Sequence, residues 1–326
     1  MAYKSILTIL TEPKEVAPVL DAAVAFAEAS QAHLEVLCLG IDRTQTGYYF
    51  AGATALMHEE TILQAQSEAQ AIEAEARQFL ARSAISSGIE GMVAQSASIA
   101  GLVARRARFA DLVILPKPYG KDQYADAPVI AESAMFHGNV PVVILAEEAA
   151  LTATPARVVI AWNESPEAMT AVRHAMPLLK AATEVDICII APERHSPDVA
   201  DPGAELSRML ARHGVKVSVS ILAQTLPRVS EMIARHVADT DADLLVMGAY
   251  GHSRFREAIL GGATRNMLEH AEVPVVMALT LTIMVLCKNT RPVGKELLLW
   301  TCPHFENLKL EALMQKSYFK ELVLEI

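Results

Sequence analysis

The chain has 326 residues, of which 52% are hydrophobic and only 5% aromatic, with a formal net charge of -10. That length suits two domains, and the acidic balance excludes a chain-wide basic footprint for DNA or RNA while leaving room for local basic patches that hold a small anion. Cores poor in aromatics are built from Ala, Val, Ile and Leu, which suits helices packed on a parallel sheet whose strands read as continuous apolar runs.

MAYKSILTIL shows no signal-peptide cleavage site and reads as a first strand running into Thr11-Glu12-Pro13. LEVLCLGIDR (34–43) reads as a second strand, and residues 56–87 as one long Ala/Glu/Gln-rich helix. ADLVILPKPYG (110–120) and NVPVVILA (139–146) follow as strands, and EEAALTATPA (147–156) as a linker. The pattern then starts again. RVVIAWNESP (157–166) matches KSILTILTEP (4–13), and VDICIIAPER (185–194) matches the second strand. ADLLVMGAYGH (242–252) matches ADLVILPKPYG, and EVPVVMAL (272–279) matches NVPVVILA. Helical patterns lie between: PEAMTAVRHAMPLLKAA (166–182), LPRVSEMIARHVADTDA (226–242) and TRNMLEHA (264–271). Strands alternating with helices predict an α/β fold of two tandem Rossmann-like domains, each a five-stranded parallel sheet with helices on both faces. The expected divisions are 1–147, 156–279 and an atypical extension, 280–326.

VPVVMALTLTIMVL (273–286) is too short for a membrane span and reads as a core strand with an extension, so no membrane contact is expected. Beyond Leu279 the composition changes: alanine nearly vanishes and lysine becomes frequent. That change reads as a frameshift, a read-through or an appended sequence before it reads as a partner-binding tail. Cys38, Cys188, Cys287 and Cys302 have neither CxxC spacing nor His partners, which predicts reduced, mostly buried thiols in a cytoplasmic protein and no metal site.

The stretch GAYGHSRFREAILGGATRNM (248–267) concentrates the functional signal. Gly248 falls at the carboxyl end of the DLLVM strand, where open α/β sheets place ligands. Glycine permits positive φ and close approach, and backbone N–H groups exposed in that way cradle phosphate oxygens. Gly261, Gly262, Ala263 and Thr264 lead directly into the last helix, whose N-terminus favours an anion. His252, Arg254, Arg256 and Arg265 surround the segment. It is neither a Walker A loop nor a GxGxxG fingerprint. His137 and His270 hold matching places in the two last helices, which suggests packing or capping. No Ser-His-Asp set and no paired carboxylates stand out, so no catalytic residue is predicted.

Gly248, Gly251 and Gly261, set between these strands, give the spacing G-x2-G-x9-G, and with the VPVV strand they make the chain resemble the universal stress proteins in their tandem form over about residues 1–279. The resemblance implies an adenine nucleotide alpha hydrolase-like fold and ATP, with or without Mg, at the sheet's carboxyl edge. It implies that Gly248, Gly251, Gly261 and Gly262 contact ribose and phosphates and that Ala263 and Thr264 add helix-start N–H groups. Asn163, where the family usually has Asp, would lie by the adenine or ribose, and Ala161 and Ala191 would meet the base through backbone atoms. Gly262 stands where the family has Ser or Thr. In the first half Pro116, Tyr119 and Pro128 replace the motif glycines and Leu10 stands opposite Asn163, so that half is expected to bind no nucleotide and to pack against the second as a pseudo-dimer. The function implied is an ATP-binding stress-response module acting through an unidentified protein partner, with homodimerisation also open. The alternatives are a slow ATPase or phosphotransferase, and a nucleotide-free scaffold.

Overall fold

The computed structural model describes residues 3–43, 54–120, 126–147, 150–191, 202–249 and 263–280. The chain divides into the compact units Met1–Leu279 and Thr280–Ile326. The tail calls made for residues 281–326 lie outside the described residues.

In chain order the first half runs β1 (Ser5–Leu10), α1 (Pro13–Ser30), β2 (His33–Asp42), α2 (Thr54–Leu80), β3 (Ser87–Gln95), α3 (Ile99–Ala107), β4 (Leu112–Leu115), α4 (Ala127–Phe136) and β5 (Val142–Ile144). The second half runs β6 (Arg157–Ala161), α5 (Pro166–Ala181), β7 (Glu184–Ile190), α6 (Ala204–Arg212), β8 (Val217–Leu222), α7 (Val229–Asp239), β9 (Leu244–Gly248), α8 (Ala263–His270) and β10 (Val275–Ala278). The long helix ends at Leu80 rather than near residue 87. Ser83 closes it by donating its hydroxyl to the Leu80 carbonyl (3.0 Å), and Ser87 and Gly88 already belong to β3.

The ten strands form one sheet, ordered β3-β2-β1-β4-β5-β10-β9-β6-β7-β8. Within each half all pairings are parallel; between halves β5 and β10 pair antiparallel, Val142 with Met277, Val143 with Val276, Ile144 with Val275. The antiparallel seam turns the halves in opposite directions, so the carboxyl edge of one lies beside the amino edge of the other. All six seam residues are buried. Hiding each such side chain stabilises by about 1.5–3 kcal/mol, so separating the halves carries a heavy cost.

The strand alternation sends Ile6 and Leu10 to one face and Leu7 and Ile9 to the other. One core packs under α1, α2, α5 and α6, the other under α3, α4, α7 and α8, and both run through the two halves. The repeated Ala-Asp before β4 and β9 has a shared task. Asp111 accepts from the backbone N–H groups of Lys4 and Ser5 (2.7 and 3.0 Å), and Asp243 accepts from those of Ala156 and Arg157 (2.8 and 2.9 Å). Each carboxylate thus ties the start of the strand that follows it to the start of the neighbouring strand.

The strand register corrects one alignment. Ile6 faces Leu34 and Leu112, while Val158 faces Val185 and Leu244. Ile6 therefore corresponds to Val158, and Thr11, not Leu10, stands at the place of Asn163. Pro13 and Pro166 both open helices, but the turn before α5 is one residue longer and takes Glu164 into positive φ (60°).

Candidate functional site

In the second half the strand order reverses between β6 and β9: β7 and β8 lie beyond β6, and β10 lies beyond β9. A crevice opens at the carboxyl end of such a switch point, because the connections leave the two strands on opposite faces. β6 ends there at Ala161, which lies between Cys188 of β7 and Met247 of β9. Ala161, Asn163, Ala191 and Gly248 thus all lie at one edge of the sheet. The N-terminal end of α8 begins at Ala263. Gly251, His252, Arg254, Gly261 and Gly262, and with them most of the glycine-rich loop, lie outside the described residues.

The described members of the set differ in role. Asn163 is exposed, and its side-chain oxygen accepts from the Ser165 backbone N–H (3.2 Å). Ser165 in turn caps α5 by accepting from the Ala168 N–H (3.1 Å). The Asn163 carbonyl is therefore part of the turn that starts α5. Ala191 takes a left-handed conformation (φ 42°) just beyond β7, and its N–H bonds the Leu222 carbonyl (2.8 Å). That amide faces β8. Gly248 is required for packing: a Cβ there would meet Ala168 N at 2.5 Å and Glu167 C at 2.7 Å. The first turn of α5 therefore rests on the end of β9. Thr264, the second residue of α8, is 3% exposed.

The equivalent crevice of the first half is closed. A cavity of about 10 Å³ remains between Thr11, Glu15, Pro116, Ile130 and their neighbours, room for one water at most. Glu15 accepts from the Thr11 N–H and hydroxyl (3.0 and 3.2 Å). Burial pushes its carboxyl above the ordinary carboxylate range, and the nearby Glu12 adds to that. Glu15 holds the place in α1 that Ala168 holds in α5, each the third residue of its helix. A buried carboxyl and a proline ring thus fill the space where a glycine and an alanine meet in the second half.

Two arrangements escaped sequence reasoning. Asp186 of β7 accepts from Ser218 (2.7 Å) and Ser220 (3.0 Å) of β8 and pairs with His236 of α7 (2.7 Å). Asp186 and His236 are buried, 5% and 9% exposed. The serines bond Asp186 rather than the imidazole, so the group joins three elements and does not activate a hydroxyl. The readable signal was the alternation of serines in VSVSIL opposite the lone acid of VDICII. The second arrangement is the Arg265 guanidinium lying over the Tyr119 ring, 5.0 Å from its centroid.

The thiols behave as the sequence suggests where they are described. Cys38 and Cys188 are free and buried, and burial pushes each up to about 12, so both are protonated at neutral pH. Cys287 and Cys302 lie outside the described residues. His137 and His270 are both exposed at helix ends, so packing is not their task. The His270 ring lies 3.1 Å from the Asn266 carbonyl in the last turn of α8. Among the described residues no three His, Cys, Asp or Glu side chains are grouped to hold a metal, and no helix is long and apolar enough to cross a membrane.

A fused α/β sheet whose strand order reverses between β6 and β9 defines a Rossmann-like protein. Residues 155–278 match the model of the Universal stress protein family, and this half of the chain is a universal stress protein domain. A curated universal stress protein of Synechocystis sp. is 36% identical over 69 residues, 21% of this chain and 23% of that protein. The chain thus matches less than a quarter of that relative's length. Among solved structures, a universal stress protein from Archaeoglobus fulgidus DSM 4304 superposes with a TM-score of 0.56 at 16% identity, covering 84% of this chain and 96% of the other. A functionally unknown protein from Pseudomonas aeruginosa PAO1 gives 0.52 at 16% identity, covering 85% and 93%. At that identity the likeness is one of fold.

Proposed function

We propose that the second half binds an adenine nucleotide, ATP foremost, and that the chain is a stress-response module acting through a protein partner. The carrying observation is the contrast between the two switch points: the first-half crevice is reduced to about 10 Å³, whereas in the second half G-x2-G-x9-G runs from the end of β9 to the start of α8. In this reading Gly248, Gly251, Gly261 and Gly262 approach ribose and phosphates, Ala263 and Thr264 supply N–H groups of the helix start, and His252 and Arg254 balance phosphate charge. Ala161, Asn163 and Ala191 border the base and ribose. The described residues offer no carboxylate at the Asn163 position, so magnesium would arrive on the phosphates rather than on the protein. The two tandem halves then act as a pseudo-dimer in which the first supports the second.

Mass spectrometry of the purified chain, native and then denatured, followed by equilibrium dialysis with ATP and AMP, tests this reading. Binding in the wild type that disappears in Gly251→Val is the expected result. No binding at millimolar nucleotide overturns it in favour of a scaffold, and sustained phosphate release lost in Gly251→Val replaces the binding module with an ATPase.

A further inference from the structure

The second half carries a cleft at the edge of the sheet opposite its switch point. In the first half α4 ends close against α3: a Cβ on Gly138 would meet the Ala107 Cβ at 2.8 Å. Ala107 is the last buried residue of α3, and Val237 is the last buried residue of α7. Gly138 precedes NVPVV as Ala271 precedes EVPVV, so the second half sets alanine against valine where the first sets glycine against alanine. The larger pair keeps the ends of α7 and α8 apart, and α3 and α4 pack more extensively than α7 and α8 do. The space left is a cleft of about 880 Å³ with Val237 and Ala271 in its lining. Small-molecule sites span about 300–1,000 Å³.

Every residue that lines the cleft is among the described ones. Val237, Ala242, Met267 and Val273 give it an aliphatic floor, and its lining holds no aromatic ring. The antiparallel seam brings the loops after β4 and β5 to this edge, and they add Lys117 and Glu147. Asp241 and Glu272 complete the rim, both exposed. Among the described residues none of these three carboxylates has an ion-pair partner. Arg235, which also lines the cleft, is paired with Asp239 (3.5 Å). The C-terminal ends of α7 and α8 both border the cleft, and such ends carry partial negative charge. Three carboxylates and two helix ends thus outweigh Lys117, and the mouth favours a cation above an apolar floor.

We infer that this cleft binds an aliphatic primary amine, with its hydrocarbon body on the floor between α7 and α8 and its ammonium at the rim carboxylates. A primary ammonium brings three N–H donors to Glu147, Asp241 and Glu272. A quaternary ammonium would find no ring face here to hold it. The site needs both halves, because Glu147 comes from the first. It lies at the other edge of the second half from Gly248 and stands independently of the nucleotide reading.

NMR titration of the full chain, labelled with carbon-13 at its methionine methyl groups, tests the inference with hexylamine as the probe and hexanoate as its anionic match. Met267→Leu assigns the Met267 signal. Hexylamine should move that signal saturably, and hexanoate should leave it in place. Asp241→Asn and Glu272→Gln should each weaken hexylamine by about two- to fivefold, the range for exposed charges. Asparagine tolerates the left-handed conformation that Asp241 holds (φ 47°), so that exchange spares the fold. Ala238→Trp, at an exposed position of α7 that lines the cleft, should abolish the shift. The inference is overturned if hexylamine leaves the Met267 signal unmoved, if hexanoate moves it as strongly, or if the carboxylate variants bind hexylamine as the wild type does. In each variant the other methionine signals report the fold, so a lost site is told from a lost structure.

Discussion

Adding one methyl group at Gly248 should damage the fold without touching any ligand. A Cβ at that position would lie 2.5 Å from Ala168 N, 2.7 Å from Glu167 C and 3.0 Å from Ala168 Cα. Unbonded carbon contacts settle near about 3.5–4.0 Å, so the first turn of α5 must retreat by roughly 1 Å. All three atoms are backbone and cannot rotate aside, and the retreat would stretch the cap from Ser165. Overpacking costs about 1–3 kcal/mol, and the rigid neighbours place Gly248→Ala in the upper part of that range. For a unit of this size, each kcal/mol lowers the thermal midpoint by about 2–4 °C. Urea denaturation and calorimetry of the full chain without nucleotide provide the assay. Gly101→Ala is the matched control, because a Cβ there meets only Arg105 Nη1, at 3.7 Å. Within α3 that exchange should stabilise by about 0.5–1 kcal/mol. A Gly248→Ala protein as stable as the wild type would refute the packing role and return this glycine to a purely ligand-facing one.

Asp186→Ala should lose about 1–3 kcal/mol in urea denaturation, because it leaves the buried His236 ring without its partner while Ser218 and Ser220 remain within reach of water; a loss below about 1 kcal/mol would mean that water replaces the carboxylate. Glu15→Gln tests the filled crevice through pH. The folded carboxyl is held above its ordinary range, so its stabilising contribution is complete below the ordinary carboxylate pKa and is lost as pH rises through the folded value. The wild type should therefore lose more stability than Glu15→Gln as pH rises above the ordinary carboxylate value of about 4.3, read from urea midpoints, and parallel curves would contradict the burial assigned to Glu15.

The repeat was legible because its cause is periodic: buried strands of Val, Ile and Leu recur in the same order, and the Asp111 and Asp243 carboxylates recur with them. The single sheet was not legible, since the seam between Val142–Ile144 and Val275–Met277 depends on which edges meet, and no local pattern records that. The one-residue slip that set Leu10 against Asn163 has a similar origin. Both turns end in a helix-opening proline, and the extra residue is absorbed by a left-handed Glu164, a residue type that does not announce positive φ. The role of Gly248 was only half visible. The sequence shows where the side chain is missing, whereas the atoms that forbid it belong to α5, some 80 residues away in the chain.

The two switch points show how one change of size carries others with it. With Gly248 at the end of β9, α5 can lower its first turn onto the strand, and Ala168 suffices there. With Pro116 at the end of β4, α1 brings Glu15 to the same place, and Thr11 must bond the buried carboxyl that results. Proline also denies the first half the N–H that a phosphate needs at that point. Reversing a single member would not restore the site: Pro116→Gly leaves Glu15 in the crevice, and Glu15→Ala leaves a backbone without the required donor. The asymmetry between the halves is therefore a coupled set of residues, and on the proposed reading nucleotide binding in the first half requires at least both of these positions to change together.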